Sequence, residues 1–355
     1  MKRIFTVLCI VLALAVGGCA GLSGKSPGVG GTLDIYFLDM AGGASTLIVA
    51  PSGESVLIDT GSLEPEHRDA DRIERACKHA GLKHIDYLVT THFDVDHYGG
   101  ILELSKRIPI NRFIDSDTPP VRYDKRQQYD KLVPLYEQAT KGKTQGLRVG
   151  QDIPLKNPAK GPQVKLHCVA SQKKVEGFAA DIDAPVEGFE IKSPDISNNP
   201  HSIALVLTYG DFKFFAGGDI TWNVEHHLAQ PVNRIGKVDL YQVTHHGLDQ
   251  SNNTILLKAL DPTVAVAMNG PRKGIQPRTF KDLNALPSLN ALYTMHYNTQ
   301  YNDPGNPPAQ FIANKTEPSR GEYIKASVNP KEETFTLQIG PDGGKKRTYA
   351  TQPQG

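Results

Sequence analysis

The densest chemistry in this 355-residue chain lies in one short segment, Thr91-His92-Phe93-Asp94-Val95-Asp96-His97, followed by Tyr98-Gly99-Gly100. His92, Asp94, Asp96 and His97 bring four potential ligands into six residues. Imidazole nitrogens and carboxylate oxygens suit divalent metals such as zinc, and a rigid strand end can hold several of them toward one point. A single histidine near a strand end is usually structural, whereas this density points to metal binding. Further candidates are Asp59, His201, Asp219 and the adjacent pair His245-His246. No Gly-rich phosphate loop ending in Lys-Ser/Thr and no nucleophile-elbow serine occur, which argues against NTP hydrolysis and covalent catalysis. His226 and His227 read as part of a surface helix, where neighbours face different directions. His296, near a late strand end, reads as structural before substrate-contacting.

The elements that must position these residues alternate. Leu33–Leu38, Thr46–Val49 and Val56–Ile58 are β-branched runs separated by Gly-rich or Pro-Ser-Gly turns, as in an antiparallel start. Glu66–Ala80 has helical spacing, and Ile85–Thr90 is a strand delivering Thr91-His92. Ser202–Tyr209 and Phe212–Ala216 are strands around a Gly210-Asp211 turn, and Val238–Val243 is a strand leading into His245. A helix at Thr254–Leu260 and a strand at Thr263–Met268 follow. Two sheets with helices outside fit this order. With 33 Gly and 25 Pro, an all-helical bundle is disfavoured. Residues 106–197 show no clear periodicity and read as an irregular insertion, locally basic through Arg122, Lys125, Arg126, Lys131, Lys141, Lys143 and Arg148. A terminal hairpin is predicted near 322–339.

Residues 1–18 read as a secretion signal: Lys2 and Arg3, an apolar run from Ile4 to Val16, then Gly17-Gly18 before Cys19. The run is shorter than the roughly 18–20 residues of a membrane span. Residues 19–32 then form a flexible tether, and the globular domain covers 33–345. Val16-Gly17-Gly18-Cys19 resembles the bacterial lipobox, which implies a lipid on Cys19 and an envelope protein anchored to a membrane, facing the periplasm or exterior. Ala20, in place of an acidic residue, favours the outer membrane. Cys77 and Cys168 remain in the domain, able either to pair in an oxidising compartment or to stay free. The formal charge of +1 does not favour a nucleic-acid partner.

The segment His92–His97 resembles the His-x-His-x-Asp-His signature of the metallo-β-lactamase superfamily, with Asp94 replacing the second His. The His-x-Asp-x-Asp-His form resembles the hydrolase domain of the competence protein ComEC and its relatives. Four further segments are similar in the expected order: Phe37–Gly61 with its early Asp59, Asn198–Ile203, Gly217–Ile220 and Val243–Gly247. The resemblance implies a four-layer αββα sandwich of the α/β class and a metal-dependent hydrolase. It implies two divalent ions, zinc first and manganese second. His92 and Asp94 would hold the first ion, Asp96 and His97 the second. Asp219 would bridge them, with Asp96 and Asp219 closest to the chemistry. His245 is the choice for the last ligand of the second ion, although His246 could exchange roles with it. His201 would add to the first ion, and Asp59 would orient a ligand histidine. The expected substrate, a small molecule or a polymer, is a phosphodiester. An ester, lactone or lactam hydrolase and a non-catalytic metal-binding envelope protein are the alternatives. Two departures weaken a nucleic-acid substrate: the family's early Gly-Gln-Gly-Asp turn reads Gly42-Gly43-Ala44, and its late Gly-His-Pro reads Ile275-Gln276-Pro277.

Overall fold

The structure is a computed structural model that describes residues 31–64, 66–122, 129–301, 305–341 and 344–353. The signal and Cys19 lie outside the described residues. Strands β1 (Leu33–Phe37), β2 (Thr46–Val49) and β3 (Ser55–Ile58) form an antiparallel meander. Helix α1 (Arg68–His79) crosses to β4 (Ile85–Val89), and α2 (Val95–Tyr98) and α3 (Ile101–Arg107) lead to β5 (Ile110–Asp115). α4 (Tyr129–Thr140) and β6 (Thr144–Gly146) follow. β3 to β6 run parallel, the arrangement that helical crossovers produce.

The second sheet contains β7 (Asp152–Ile153), β8 (Val164–Ser171), β9 (Lys174–Val175), β10 (Ala204–Tyr209) and β11 (Phe212–Ala216). It continues through α5 (Trp222–Ala229), β12 (Leu240–Gln242), α6 (Thr254–Leu260), β13 (Val264–Ala267), α7 (Pro277–Asn284), β14 (Ala291–His296) and β15 (Ile312–Asn314). β11 to β15 are parallel. The chain then returns to the first sheet as β16 (Ile324–Asn329), β17 (Thr334–Ile339) and β18 (Arg347–Ala350), with β16 pairing β1.

Side-chain alternation sorts the core into three interfaces and gives the four layers expected. Leu205, Leu207 and Tyr209 of β10 meet Leu33, Ile35 and Phe37 of β1 between the sheets. Ala204 and Val206, with the opposite parity, pack on α5 and α6 through Val224, Leu228, Leu256 and Leu257. On the other outer face, Ala70, Ile73, Ala76 and Cys77 of α1 cover Leu47, Leu57 and Leu88. Cys77 and Cys168 are free and buried in different interfaces, so the open question of their pairing closes.

Two expectations need correction. The 106–197 region is not an irregular insertion throughout: β5 and β6 extend the first sheet, and the eight-residue β8 pairs β10 in the second. Its basic look arises partly from exposed cations that pair with acids, as Arg122 does with Asp130 and Arg148 with Asp117. Its end, residues 176–198, is its longest described stretch without regular structure. That strap explains the second correction. Helix α5 is buried along its whole length, His226 and His227 included. Phe178 stacks on His227 at 3.9 Å, Phe189 meets His226 at 5.1 Å, and Trp222 Nε1 donates to the Glu190 carbonyl at 3.0 Å.

Candidate metal centre

The sequence places its polar segments just beyond strand ends, and the topology gathers those ends. Asp59 follows β3, residues 90–97 follow β4, Gly217-Gly218-Asp219 follows β11, His245-His246 follows β12, and Lys273 lies beyond β13. All leave the carboxyl ends of parallel strands, where open α/β sheets place their sites. Asn198 to His201 precede β10, which is antiparallel to β11 and so starts at the same rim. The Gly42-Gly43 turn closes the rim tightly: a Cβ on Gly43 would lie 2.6 Å from the Asp96 carbonyl, to which Ala44 N donates at 3.0 Å.

Four histidines then aim the same nitrogen at one oxygen. The Nε2 atoms of His97, His246, His245 and His92 lie 3.1, 3.4, 3.6 and 4.0 Å from Asp219 Oδ2. Their other nitrogens settle the tautomers by donor counting. His246 Nδ1 faces the Met268 carbonyl at 3.0 Å, so it must donate. His97 Nδ1 faces Asp59 Oδ2 at 2.7 Å and must donate as well. The Thr91 hydroxyl already donates to Asp59 and the Ser251 hydroxyl to the Ile220 carbonyl, so His92 Nδ1 and His245 Nδ1 donate to them at 3.0 and 3.1 Å. In its neutral form each ring therefore turns an Nε2 lone pair toward the Asp219 carboxylate. His97 Nε2 also lies 3.3 Å from His246 Nε2, and buried His92 Nε2 has no hydrogen-bond partner among the described residues. Acceptors crowded against acceptors call for cations between them.

The electrostatics show how strongly the centre draws positive charge. Burial works against ionisation of Asp219, yet His97, His246 and His245 hold its carboxyl well below the usual carboxylate range. Partial burial also works against ionisation of Asp96, yet Lys273, His97 and His246 hold it well below that range. Burial disfavours a charged His97, but Asp219, Asp59 and Asp96 raise its basicity well above that of a free imidazole. Burial pushes His245 down to about 4 against the pull of Asp219.

How both adjacent histidines reach the centre follows from backbone geometry. His245 (φ 52°, ψ 45°) and His246 (φ 55°, ψ 8°) are both left-handed, a costly conformation for non-glycine residues that persists where the surroundings fix it. His245 N donates to the Gly218 carbonyl, and the His246 carbonyl accepts from Ile275 N, both at 3.0 Å.

Two sets of ligand atoms lie within 4.8 Å of one another: His92, His97 and Asp219, and Asp96, His97 and His246. The structure thus places His246, rather than the expected His245, with Asp96 and His97. His245 sits beside Asp219 and Asn199, whose Nδ2 is 3.5 Å from its Nε2. Asp94 is outside both sets: its Oδ1 accepts from Asn198 Nδ2 at 3.0 Å and from the Tyr129 hydroxyl at 3.4 Å. His201 also stays outside both sets, with Nδ1 buried and without a hydrogen-bond partner. Asp59 accepts from Thr91 N and the Thr91 hydroxyl and faces His97 Nδ1, which fixes that ring's orientation. His296 binds Asp39 at 2.6 Å, buried away from this cluster. Sequence reasoning placed Asn198 and Asn199 in a family-like segment without giving them a role, and it missed Ser251 and Lys273, ordinary loop residues until the fold closes.

The sequence profile of the metallo-β-lactamase superfamily matches residues 39–270, and the chain belongs to that superfamily. Membership and the buried His/Asp cluster define it as a metallo-hydrolase. The chain is similar to Recombination protein 2 of Haemophilus influenzae, 26% identical over 246 residues, covering 67% of this chain and 24% of that protein. It therefore spans about a quarter of the length of that curated relative. Among solved structures, a variant of the β-hydroxylase CmlA covers 74% of this chain and 52% of its own at 12% identity and TM-score 0.43. A subclass B3 metallo-β-lactamase from a soil metagenome library covers 73% and 75% at 14% identity and TM-score 0.33.

Proposed function

We propose that the chain hydrolyses phosphodiesters at a centre for two divalent ions. The observation that carries this reading is the convergence of four Nε2 lone pairs on Asp219 Oδ2, a donor set that fits such ions, zinc first and manganese second. Asp96, His97 and His246 would hold one ion, His92 and His245 with nearby Asp94 would hold the other, and Asp219 would serve both. Bound there, the ions supply a water whose pKa falls from about 15.7 to about 7 and offset negative charge on phosphorus. The chain's own part is orientation: Asp59, Thr91, Ser251 and the Met268 carbonyl fix each imidazole with its Nδ1–H outward from the centre.

A phosphodiester is favoured by the cleft above the cluster. It has a volume of about 1000 Å³ and presents Lys273, Lys192, Asn199, Gln250 and Gln276 beside Asp94, Asp96, Asp195, Asp219 and Asp249. These donors match anionic oxygens, and the similarity to a protein named for recombination agrees with that choice. The test is metal analysis with an activity panel. We expect about two ions per chain and turnover of bis-nitrophenyl phosphate but not nitrocefin; nitrocefin turnover alone would move the chain to the lactam class, and a fully loaded but inert protein to the non-catalytic class.

We further propose that Cys19 carries lipid and tethers the domain to the outer membrane, facing the periplasm or exterior. Labelled palmitate should be incorporated by the wild type and not by Cys19→Ala; equal labelling of both would refute it.

A further inference from the structure

Lys273 is the one cation in direct contact with the cluster among the described residues. It lies in the turn after β13, where Gly270 N donates to its carbonyl at 2.9 Å. Its stem runs past Gly42, where a Cβ would stand 3.4 Å from Lys273 Cδ, so the bare glycine leaves its path open. Its Nζ donates to Asp96 Oδ2. That same oxygen lies 3.3 Å from His246 Nε2 and 3.8 Å from His97 Nε2, so the ammonium sits on the atom that Asp96 turns toward the centre. Lys273 is not locked there: its side chain is 37% exposed and lines the cleft.

One oxygen cannot serve an ammonium and a divalent ion without bringing two cations together, and like charges at that range repel. Lys side chains are long and their ammonium can swing on four carbons. We propose that Lys273 is a built-in competitor for the ion held by Asp96. In the ion-free chain it neutralises Asp96. When a divalent ion takes that oxygen, Lys273 turns into the cleft and binds an anionic phosphoryl oxygen of the substrate. One residue thereby lowers the affinity for the ion and supplies a positive charge to the substrate. This rests on the two-ion phosphodiester reading for its second half; the first half concerns metal affinity alone.

The experiment compares wild type with Lys273→Met, Lys273→Gln and Lys192→Met. Zinc affinity is read by competition with a chromophoric chelator, and inorganic phosphate binding to the zinc-loaded proteins by calorimetry. Lys273→Met should bind the Asp96-side zinc at least about tenfold tighter and phosphate at least about tenfold more weakly. Lys273→Gln keeps a hydrogen bond to Asp96 without the charge, and should show the same gain even if the Met variant fails to fold. Lys192→Met removes a charge from the same cleft, at a side chain whose Nζ donates to the Asp249 carbonyl at 3.1 Å, and should leave zinc affinity unchanged. Unchanged or weaker zinc binding in a folded Lys273 variant overturns the proposal, as does an equal gain in Lys192→Met. If the wild type hydrolyses no phosphodiester, the functional reading falls, while the zinc comparison still decides whether Lys273 competes.

Discussion

The two sides of Asp219 are built differently. On one side, His97 and His246 approach its Oδ2 to 3.1 and 3.4 Å, and Asp96 adds a second carboxylate 3.3 Å from His246. On the other, His245 and His92 stand at 3.6 and 4.0 Å, and Asp94 faces Asn198 and Tyr129. The supports differ in kind as well. A carboxylate and a carbonyl, Asp59 and Met268, orient the near pair, whereas the hydroxyls of Thr91 and Ser251 orient the far pair. Proton affinity follows the same division. His97 and His246 are both more basic than a free imidazole, despite burial, because Asp219 and further carboxylates face them. His92 and His245 are less basic, mainly through burial. Negative charge concentrated on one side makes the positions unequal: the near side should retain its ion, and the far side should exchange it.

The largest effect should come from removing the residue common to both ligand sets. His97→Ala should lower phosphodiesterase kcat/KM about a thousandfold or more and reduce metal content to one ion or fewer. His92→Ala should keep the near-side ion; equal metal loss in both variants, measured by plasma mass spectrometry, would erase the asymmetry. Asp59→Asn keeps the shape but weakens the acceptor for His97, and should cost about 10- to 100-fold in near-side metal affinity. An unaltered affinity would show that the Asp59–His97 contact does not matter for the ion. Asn198→Ala frees Asp94 from its 3.0 Å hydrogen bond and should change far-side affinity by about tenfold, the worth of one hydrogen bond to a charged group. A near-side change instead would reverse the assignment of Asp94.

These predictions also mark what the sequence could and could not reveal. His92, Asp96 and His97 were legible because one strand end carries them at close spacing, whereas Asp94 in the same segment turns to Asn198 and Tyr129. The layers were legible because alternation in β1 and β10 sorts each side chain to one interface. The choice between His245 and His246 was not, since it depends on two consecutive left-handed residues held by Gly218 and Ile275. Lys273 stands 177 residues from Asp96 in the chain, and only the juxtaposition of the two sheets joins them. Helix α5 carries two histidines that read as part of a surface helix until the strap 176–198 covers them. The same limit applied to Asn198 and Asn199, whose amides gain meaning only beside Asp94 and His245.

The smallest functional effect, but a distinct stability signature, belongs to Glu225 on α5, beneath the far-side loop. Its Oε2 accepts from Asn253 N at 2.7 Å, and its Oε1 is buried without a hydrogen-bond partner. Burial raises its carboxyl from 4.5 to about 7, despite the donors from Asn253 and Asn252. Because the folded value is the higher one, this group's stabilisation is full below the unfolded value and disappears as pH rises through about 7. Glu225→Gln should therefore match wild type at acidic pH and exceed it above neutrality by up to about 3 kcal/mol, at roughly 1.4 kcal/mol per unit. Denaturant melts on both sides of that window check it. Parallel pH profiles for the two proteins would mean that Glu225 does not titrate there.

The central claim is that two ions share Asp219, and anomalous diffraction from zinc-soaked crystals tests it most directly. The account predicts two peaks on opposite sides of the Asp219 carboxylate, one against Asp96, His97 and His246, the other against His92 and His245. A lone peak away from Asp219, or one centred on His201, would contradict it.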